Sequence, residues 1–299
     1  MRALITGGRG FVGGWLAAHL RDQGDDLVVV DHEVDVTSTD RLGGAFRDAQ
    51  PDVVYHLAAL THVGQSWEDP VEVQRVNVLG TASVLAAARA CGSDPRVLVV
   101  SSAEVYGTVT DESALPLGED ARLAPTTPYA ASKVAAEYLC VQAHLAHDLP
   151  VIRVRPFNHV GPGQGSQFVV PALAARIVEA QRAGGGDIPI GNLQARRDLT
   201  DVRDVVRAYR LLVRRGAPGQ VYNVCRGQTV AIAEVADRLL QLAGAELRLV
   251  TDPALVRPVD VPVVQGDATL LRQTTGWEPG IDLDTTLADV LAECSQRAG

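Results

Sequence analysis

The pattern that most constrains the fold is at the start of the chain, where a short apolar run meets a glycine-rich turn. "RALIT" is followed by "GGRGFVGGWLAAHLRDQG", in which apolar residues recur at helical spacing as far as Gly24. A glycine at the end of such a segment favours termination of a helix. The sequence therefore predicts a buried strand, a tight glycine turn and a helix in direct succession.

The same alternation continues over the first half of the chain. Buried strands are predicted at "DLVVVD", "PDVVYHLAA", "RVLVVSSAEVYG" and "PVIRVRPFN", and helical patterns separate them. Strands that alternate with helices favour an α/β protein with a parallel, doubly wound sheet of the Rossmann type. After residue 160 the alternation becomes irregular, although "GQVYNV" still has the composition of a buried strand.

These patterns lead us to expect two lobes. A chain of 299 residues is long enough for one large domain or for two unequal lobes. Residues 1–160 would form the Rossmann domain, and residues 161–299 would form a smaller, mixed α/β lobe. The strand-like segment at 221–224 would return to the sheet of the first lobe.

Charge and cysteine content exclude several classes of function. The net charge is −9, and no block of Lys or Arg provides the basic face that nucleic acids require. The four cysteines are far apart, so no zinc site and no other metal site is expected. No signal-like segment or run of about 18 apolar residues is present. We expect a cytoplasmic protein that binds a small anion, with no membrane or nucleic-acid partner.

The first turn has the glycine spacing of a phosphate-binding loop. "TGGRGFVG" places Gly7, Gly10 and Gly13 between strand and helix in a G-x-x-G-x-x-G pattern. Glycines there allow backbone amides to approach a pyrophosphate at the helix N-terminus. Alone the pattern is a weak signal, because a glycine turn can also simply pack a helix on a strand. In this context we interpret it as a dinucleotide-binding loop, with Phe11 and Val12 among its cofactor contacts.

The end of the second predicted strand sharpens that interpretation. Asp31 follows Gly13 by 18 residues, close to the position of a ribose-binding carboxylate. It would accept hydrogen bonds from the ribose hydroxyls and repel a 2′-phosphate, which favours NAD(H). The alternative is a solvated residue at a strand end. Arg9 leaves NADP(H) open, since a cation in the loop could accommodate that phosphate. Asp35 and Val36 would flank the adenine.

A candidate proton-donor pair lies in "YAASK". Tyr129 and Lys133 are four residues apart, so they share one face of the predicted helix. A lysine ammonium would lower the pKa of the phenol and let Tyr129 pass a proton at neutral pH. Lys133 could also hold the nicotinamide ribose, and Ser102 follows a strand that should end at the cofactor crevice. The motif alone can be an exposed helix pair, but this combination favours carbonyl reduction.

Several motifs together resemble one known family. "TGGRGFVG", "HLAAL", "SSAEVYG", "YAASK" and "RPFNHVGPGQ" resemble the extended short-chain dehydrogenases/reductases that act on nucleotide sugars, over essentially the whole chain. Within that family, "GNLQARRDLTDVRDVVRAY", "VYNVCRGQ", "RPVDVP" and "TGWEPGI" most resemble the GDP-4-keto-6-deoxy-D-mannose reductases, which form GDP-D-rhamnose. The resemblance implies an NAD(P)-binding first lobe and a second lobe that binds a nucleotide sugar.

The resemblance also implies roles for individual residues. Ser102, Tyr129 and Lys133 match the catalytic hydroxyl, the acid and the lysine. The further cofactor contacts that it implies are Leu57, Ala58, Ala59 and Phe157. The implied substrate contacts are Asn158, Gln164, Phe168, Arg197 and Arg257. Guanidinium groups suit a diphosphate, although both arginines could instead form surface salt bridges.

Glu104 is compatible with a second type of reaction. A glutamate two residues past the hydroxyl is found in nucleotide-sugar dehydratases, where it can act as a base. Here Ala103 replaces the acid that would protonate a departing hydroxyl in one group of those enzymes. Reductases also carry a carboxylate at this position. We therefore expect a reductase, with a 4,6-dehydratase or epimerase that uses Glu104 as the alternative.

Two further expectations concern assembly and a non-enzymatic role. Helices near 69–91 and 128–147 could pair with their copies in a homodimer, as is common in the family, or bury their apolar faces within the monomer. A protein that senses the cofactor without catalysis is a remote alternative. Such proteins lose the tyrosine or the lysine, and both are intact here.

Overall fold

The computed structural model describes residues 1–109, 111–255 and 261–297. Its strands are β1 (Arg2–Thr6), β2 (Asp26–Val30), β3 (Val53–His56), β4 (Arg96–Val100), β5 (Val151–Pro156), β6 (Asn158–Val160), β7 (Asp187–Ile190), β8 (Arg196–Asp201), β9 (Val221–Val224), β10 (Thr229–Ala231), β11 (Arg248–Thr251) and β12 (Val263–Val264). Its helices are α1 (Phe11–Asp22), α2 (Thr39–Ala49), α3 (Pro70–Gln74), α4 (Gly80–Ala90), α5 (Pro128–His147), α6 (Val169–Arg182), α7 (Val202–Arg215), α8 (Ile232–Ala243), α9 (Thr269–Thr275) and α10 (Leu283–Arg297).

The main sheet has six parallel strands in the order β2-β1-β3-β4-β5-β9. The chain runs from β1 to the edge strand β2, and then crosses to the other side of β1, where β3, β4 and β5 follow in turn. This is the doubly wound Rossmann-type architecture that the sequence predicts, and that prediction is confirmed. Strand β9 comes from the second half of the chain and completes this sheet.

Helices cover both faces of the main sheet because its strands alternate their side chains. Ala3 and Ile5 of β1 belong to the core beneath α1 and α7, whereas Leu4 belongs to the core beneath α2, α4 and α5. All three side chains are at most 1% exposed. Burying one large aliphatic side chain contributes about 1.5–3 kcal/mol. The near-continuous apolar strands therefore require this three-layer arrangement.

The predicted long helix over 69–91 is interrupted in the structure. Helices α3 and α4 are joined by a five-residue π-helical turn, Arg75–Leu79. The wider turn brings Asn77 inward, where its side chain accepts from the amide of Leu60 and donates to the carbonyl of Leu60, at 2.8 and 3.0 Å. It also donates to the Ser132 hydroxyl of α5 at 2.8 Å. The interruption thus ties the loop after β3 to α5.

The second half of the chain forms a smaller assembly beside the main sheet. Strands β10, β8 and β12 form a small sheet, β6 pairs with β8, and β11 pairs with β7. Helices α6, α8 and α10 share a separate apolar core. Where the chain divides into lobes remains a prediction. None of the helices in the described segments combines the length and apolar character needed to cross a bilayer.

Candidate active site

A cavity of about 780 Å³ lies at the carboxyl ends of the main-sheet strands. Its wall includes residues that come directly after five of them: Gly7 after β1, Asp31 after β2, Leu57 after β3, Ser101 after β4 and Phe157 after β5. Loops after neighbouring parallel strands meet at one edge of the sheet, which is where open α/β sheets bind ligands. The fold therefore brings residues from distant parts of the sequence to one site.

The glycine loop is so compact that it leaves no room for a side chain at Gly7 or Gly13. Gly7 has a φ of +71°, and a Cβ there would lie 2.7 Å from the amide nitrogen of Ala58. A Cβ on Gly13 would lie 2.2 Å from the carbonyl oxygen of Gly7. Gly10 caps α1 without a side-chain hydrogen bond, which leaves the first-turn amides to an anion. The loop thus fits the pyrophosphate of a dinucleotide.

Asp31 is held in place by the loop that it faces. Its carboxylate is 7% exposed. One oxygen accepts from the Arg9 amide at 2.7 Å, and the other accepts from the His32 amide at 2.9 Å. Arg9 is absent from the described cavity lining, and its guanidinium lies 3.1 Å from the Glu33 carboxylate. Asp31 is therefore preorganised for a ribose, while Arg9 is paired with an acid.

Asp35 and Val36 occupy the same end of the cavity. Asp35 accepts from the Thr37 amide at 2.9 Å and from Arg75 at 3.3 Å. The hydrogen bonds from Thr37 hold the pKa of Asp35 below its usual range. Val36 packs closely on Gly80, where an added Cβ would lie 2.8 Å from a Val36 methyl. Both residues line the cavity, and their contact with an adenine remains a prediction.

Helix α5 begins beside the cavity, and its first two turns contribute residues to the cavity wall. The Thr127 hydroxyl accepts from the Ala130 amide at 3.0 Å, and Pro128 occupies the first helical position. A threonine cap followed by proline is a strong start signal for a helix. As a result Tyr129 and Lys133 lie on one face of α5 and both line the cavity.

Ser102, Tyr129 and Lys133 meet at the catalytic end of the cavity. Tyr129 makes a side-chain hydrogen bond with Ser102. The Lys133 ammonium donates to the carbonyl oxygen of Val100 at 2.9 Å and lies 5.9 Å from the centre of the Tyr129 ring. The serine and tyrosine hydroxyls can therefore both contact one carbonyl oxygen, with a cation behind the phenol.

The pKa of Tyr129 differs from the sequence-based expectation. Burial raises it to about 12, while the hydrogen bond with Ser102 lowers it and the charge of Glu104 raises it further. Burial also lowers the pKa of Lys133 to about 8. The expected lowering of the phenol pKa by Lys133 is absent, because a lysine with a pKa of about 8 has lost its charge before a phenol with a pKa of about 12 ionises. Catalytic hydrogen bonds in empty sites are often loose and tighten when a ligand binds.

Glu104 also lines the cavity, at the start of a short 3₁₀ turn, Ala103–Tyr106. Its amide donates to the Ser102 hydroxyl at 3.2 Å. Its negative charge raises the pKa of Tyr129, so the carboxylate lies close enough to interact with that phenol. The geometry is compatible with a sugar hydroxyl contact and with a role as a base.

The predicted site residues are mostly brought together. The lining includes Gly7, Gly10, Phe11, Val12, Asp31, Asp35, Val36, Leu57, Ala58, Ala59, Ser102, Glu104, Tyr129, Lys133, Phe157, Asn158, Gln164 and Phe168. Arg9 and Arg197 are absent from the described lining. Arg197 donates to the carbonyl of Val261, a lining residue, at 2.8 Å. Arg257 lies outside the described residues.

One buried ion pair beneath the site was not predicted from the sequence. Glu137 of α5 accepts from Arg155 of β5 through both oxygens, at 2.8 and 2.7 Å, and from the Ser101 hydroxyl at 2.6 Å. Glu137 is four residues after Lys133 and on the same helix face, so the spacing contained a signal. His159 also lines the cavity, and it stacks on Phe11 with ring centres 6.0 Å apart.

The loop, the strand-end serine and the Tyr–Lys pair on this sheet define a class of enzymes, the extended short-chain dehydrogenases/reductases, which depend on NAD(P). The resemblance noted in the motifs is thereby confirmed. A sequence model described as GDP-mannose 4,6 dehydratase matches residues 29–290. The chain belongs to this family.

Individual relatives agree with that assignment. The chain is 39% identical to the GDP-6-deoxy-D-mannose reductase of Pseudomonas aeruginosa, over 99% of this chain and 98% of that protein. It is 25% identical to a GDP-mannose 4,6-dehydratase of Yersinia enterocolitica, over 99% of this chain and 94% of that protein. The structure of RMD from Pseudomonas aeruginosa complexed with NADPH matches with a TM-score of 0.93 and 37% identity, covering 99% of this chain and 100% of that chain.

Proposed function

We propose that the protein reduces the C4 ketone of a nucleotide 4-keto-6-deoxyhexose, converting GDP-4-keto-6-deoxy-D-mannose to GDP-D-rhamnose. The observation that carries this proposal is the convergence of Ser102, Tyr129 and Lys133 on the cavity that also contains the glycine loop. The match to a GDP-6-deoxy-D-mannose reductase over 98% of its length supports the substrate class.

The cavity suits a nicotinamide dinucleotide as the source of hydride. The glycine loop would hold the pyrophosphate, Asp31 the adenosine ribose, and Asp35 and Val36 the adenine. Asp31 favours NAD(H), because a carboxylate repels a 2′-phosphate. NADP(H) remains a candidate, since the matching Pseudomonas aeruginosa structure contains NADPH.

The residues of the chain would carry out the proton chemistry of the reaction. When bound, the nicotinamide would supply hydride to the C4 carbonyl carbon. Tyr129 would donate its phenolic proton to the carbonyl oxygen as that oxygen gains negative charge. Ser102 would donate a hydrogen bond to the same oxygen, which stabilises the charge before the proton arrives. The Lys133 ammonium would then stabilise the phenolate until solvent restores its proton.

The second half of the chain would hold the nucleotide sugar. Gln164 and Phe168 line the cavity from beyond residue 160, beside Asn158, which supports our proposal that residues 161–299 form a substrate lobe. Arg197 donates a hydrogen bond to the carbonyl of the cavity residue Val261, so its guanidinium lies beside the cavity wall and would contact a diphosphate there. We retain Arg257 as a second proposed diphosphate ligand on the family resemblance alone.

The test follows absorbance at 340 nm with purified protein, NADH or NADPH, and GDP-4-keto-6-deoxy-mannose formed in situ from GDP-mannose by a separate dehydratase. We expect oxidation of the reduced cofactor that requires the keto sugar, and a GDP-deoxyhexose product. The cofactor that is oxidised faster identifies the preference. Absence of oxidation with both cofactors would contradict the proposal.

A second candidate is a nucleotide-sugar 4,6-dehydratase or epimerase. The observation that favours it is the position of Glu104 in the cavity beside Tyr129. A carboxylate there could remove a proton from carbon, as a dehydratase requires. Formation of a 4-keto product from GDP-mannose without the added dehydratase would establish this activity.

We also propose that the protein is a cytoplasmic homodimer. Large apolar side chains remain more than half exposed on the two faces predicted to pair, namely Val71, Leu79, Tyr138 and Leu145. A second copy of the chain would cover them. All four cysteines are free thiols, which suits a reducing compartment. Light scattering of the purified protein at twice the monomer mass would support the dimer, and a monomer would contradict it.

A further inference from the structure

One buried hydroxyl in the cavity wall has no role in the mechanism above. Tyr209 of α7 is 0% exposed and lines the cavity. Among the described residues, nothing forms a hydrogen bond with its hydroxyl. Buried polar groups in native proteins are nearly always hydrogen-bonded, and the exceptions require an explanation. A missing ligand is one such explanation.

A second tyrosine provides an internal comparison. Tyr55 of β3 is also 0% exposed, belongs to the same apolar core and has an unpaired hydroxyl within the described structure. Tyr55 is absent from the residues that line the cavity. The two phenols thus share burial and lack of a partner, and differ in that Tyr209 borders the cavity and Tyr55 does not.

The place of Tyr209 in the fold indicates which part of a ligand it faces. Helix α7 packs on α1 and beneath β4 and β5, the two strands that lead into the cavity residues Ser102 and Phe157. Burial raises the pKa of Tyr209 well above its usual range, and the charge of Tyr129 raises it further, so the two cavity-lining phenols are close enough to interact. The proposed adenine and pyrophosphate positions are at other cavity residues, namely Asp35 and Val36 for the adenine and the glycine loop for the pyrophosphate.

We propose that the Tyr209 hydroxyl donates a hydrogen bond to the carboxamide of the bound nicotinamide. This inference rests on the proposed function, because it requires a nicotinamide cofactor with its reactive ring beside Tyr129. The carboxamide carbonyl is the acceptor that such a ring carries at this end of the cavity. A bond to it would fix the rotation of the ring and so the face that is presented to the substrate. Tyr209 is a positioning residue for the cofactor.

The test compares Tyr209→Phe with the matched control Tyr55→Phe. Each change removes one unpaired buried hydroxyl and keeps the ring, so both variants should melt at or above the temperature of the wild type. Calorimetric titration without any sugar measures the binding of NADH, NADPH and ADP-ribose, which lacks the nicotinamide. We expect Tyr209→Phe to weaken binding of the preferred reduced cofactor about five- to tenfold, and to leave ADP-ribose unchanged. Tyr55→Phe should change neither.

The other outcomes overturn the inference in distinguishable ways. Equal behaviour of the two variants would mean that the Tyr209 hydroxyl contacts no cofactor. Equal weakening of ADP-ribose binding would place the contact on the phosphates or ribose instead of the carboxamide. Failure of the wild type to bind either reduced cofactor would instead refute the proposed function, before any variant is considered.

Discussion

Helix α5 buries polar groups in two different ways along one face. Near its start, Lys133 donates one hydrogen bond, to the Val100 carbonyl, and the described structure gives its ammonium no second one. Four residues later, Glu137 has both oxygens occupied by Arg155 and also accepts from the Ser101 hydroxyl. The first region is under-paired and faces the cavity. The second is fully paired and lies beneath it.

The difference separates groups that act on ligands from groups that hold them in position. A buried charge is costly unless it is paired, so an incompletely paired one persists where a ligand completes it. The paired region ties α5 to β5 through Arg155 and to the end of β4 through Ser101. Its stability therefore fixes the distance between Ser102 and Tyr129. Mutations in the two regions should consequently damage different properties.

The largest effect is expected from Tyr129→Phe, in the under-paired region. Without the phenolic proton, the alkoxide that forms during reduction cannot be neutralised by the enzyme. We expect turnover to fall about 10²- to 10⁴-fold in the 340 nm assay. Cofactor binding and melting temperature should stay close to wild type, since the ring remains. Turnover near the wild-type rate would show that another group donates the proton, and a wild type without turnover would favour the sensor alternative.

The next effect is expected from Glu137→Gln, in the fully paired region. The Arg155 side chain is 4% exposed, so loss of the carboxylate leaves a buried cation without its counter-charge. We expect the free energy of unfolding to fall by about 3–5 kcal/mol in urea titrations.

The exposed pair Glu234–Arg238, one helical turn apart, provides the control. Glu234→Gln should change the free energy of unfolding by less than about 0.5 kcal/mol, because exposed pairs are screened by water. Similar losses in both variants would remove the distinction between buried and exposed pairing in this protein.

The pH dependence tests the under-paired lysine. Burial lowers the pKa of Lys133 to about 8, so its ammonium loses a proton as the pH rises through that value. Tyr129 has a pKa of about 12 and stays protonated over this range. We expect kcat/KM to fall above pH 8, approaching tenfold for each pH unit. Lys133→Arg keeps the positive charge and should abolish this fall, even if the rate is lower. A profile that is flat to pH 10 would contradict the assignment.

Much of the fold followed from local patterns. The apolar strands and the glycine turn predict the doubly wound sheet because each element is defined by neighbouring residues. The π-helical turn Arg75–Leu79 could not be predicted, since the segment keeps the composition of an ordinary helix. The turn depends on Asn77, whose partners Leu60 and Ser132 are distant in sequence.

Prediction of the site from the sequence has the same limit. Ser102, Tyr129 and Lys133 are marked by spacing and by strand ends, which a sequence contains. The pairing of Glu137 with Arg155 joins a helix to a strand and requires the assembled sheet. Spacing also predicts which helix face a lysine shares with a tyrosine, but not that its ammonium turns to the Val100 carbonyl.

The smallest effect is expected at an ion pair that is neither buried nor fully hydrogen-bonded. Arg9 and Glu33 lie 3.1 Å apart with side chains 67% and 45% exposed, next to the carboxylate of Asp31. Such an exposed pair is weak, so Arg9 can exchange Glu33 for a 2′-phosphate at little cost.

Glu33→Gln removes both the competitor for Arg9 and a charge that repels the phosphate. We expect calorimetry to show NADPH binding about threefold tighter, with NADH binding unchanged. The gain should shrink at high salt, because exposed charges are screened. Adding Arg9→Gln to this variant should abolish the gain in NADPH binding, since the Arg9 guanidinium is the group that Glu33→Gln frees from its ion pair. An equal gain for both cofactors would show that Glu33 acts on the loop itself, and cofactor preference would then depend on Asp31.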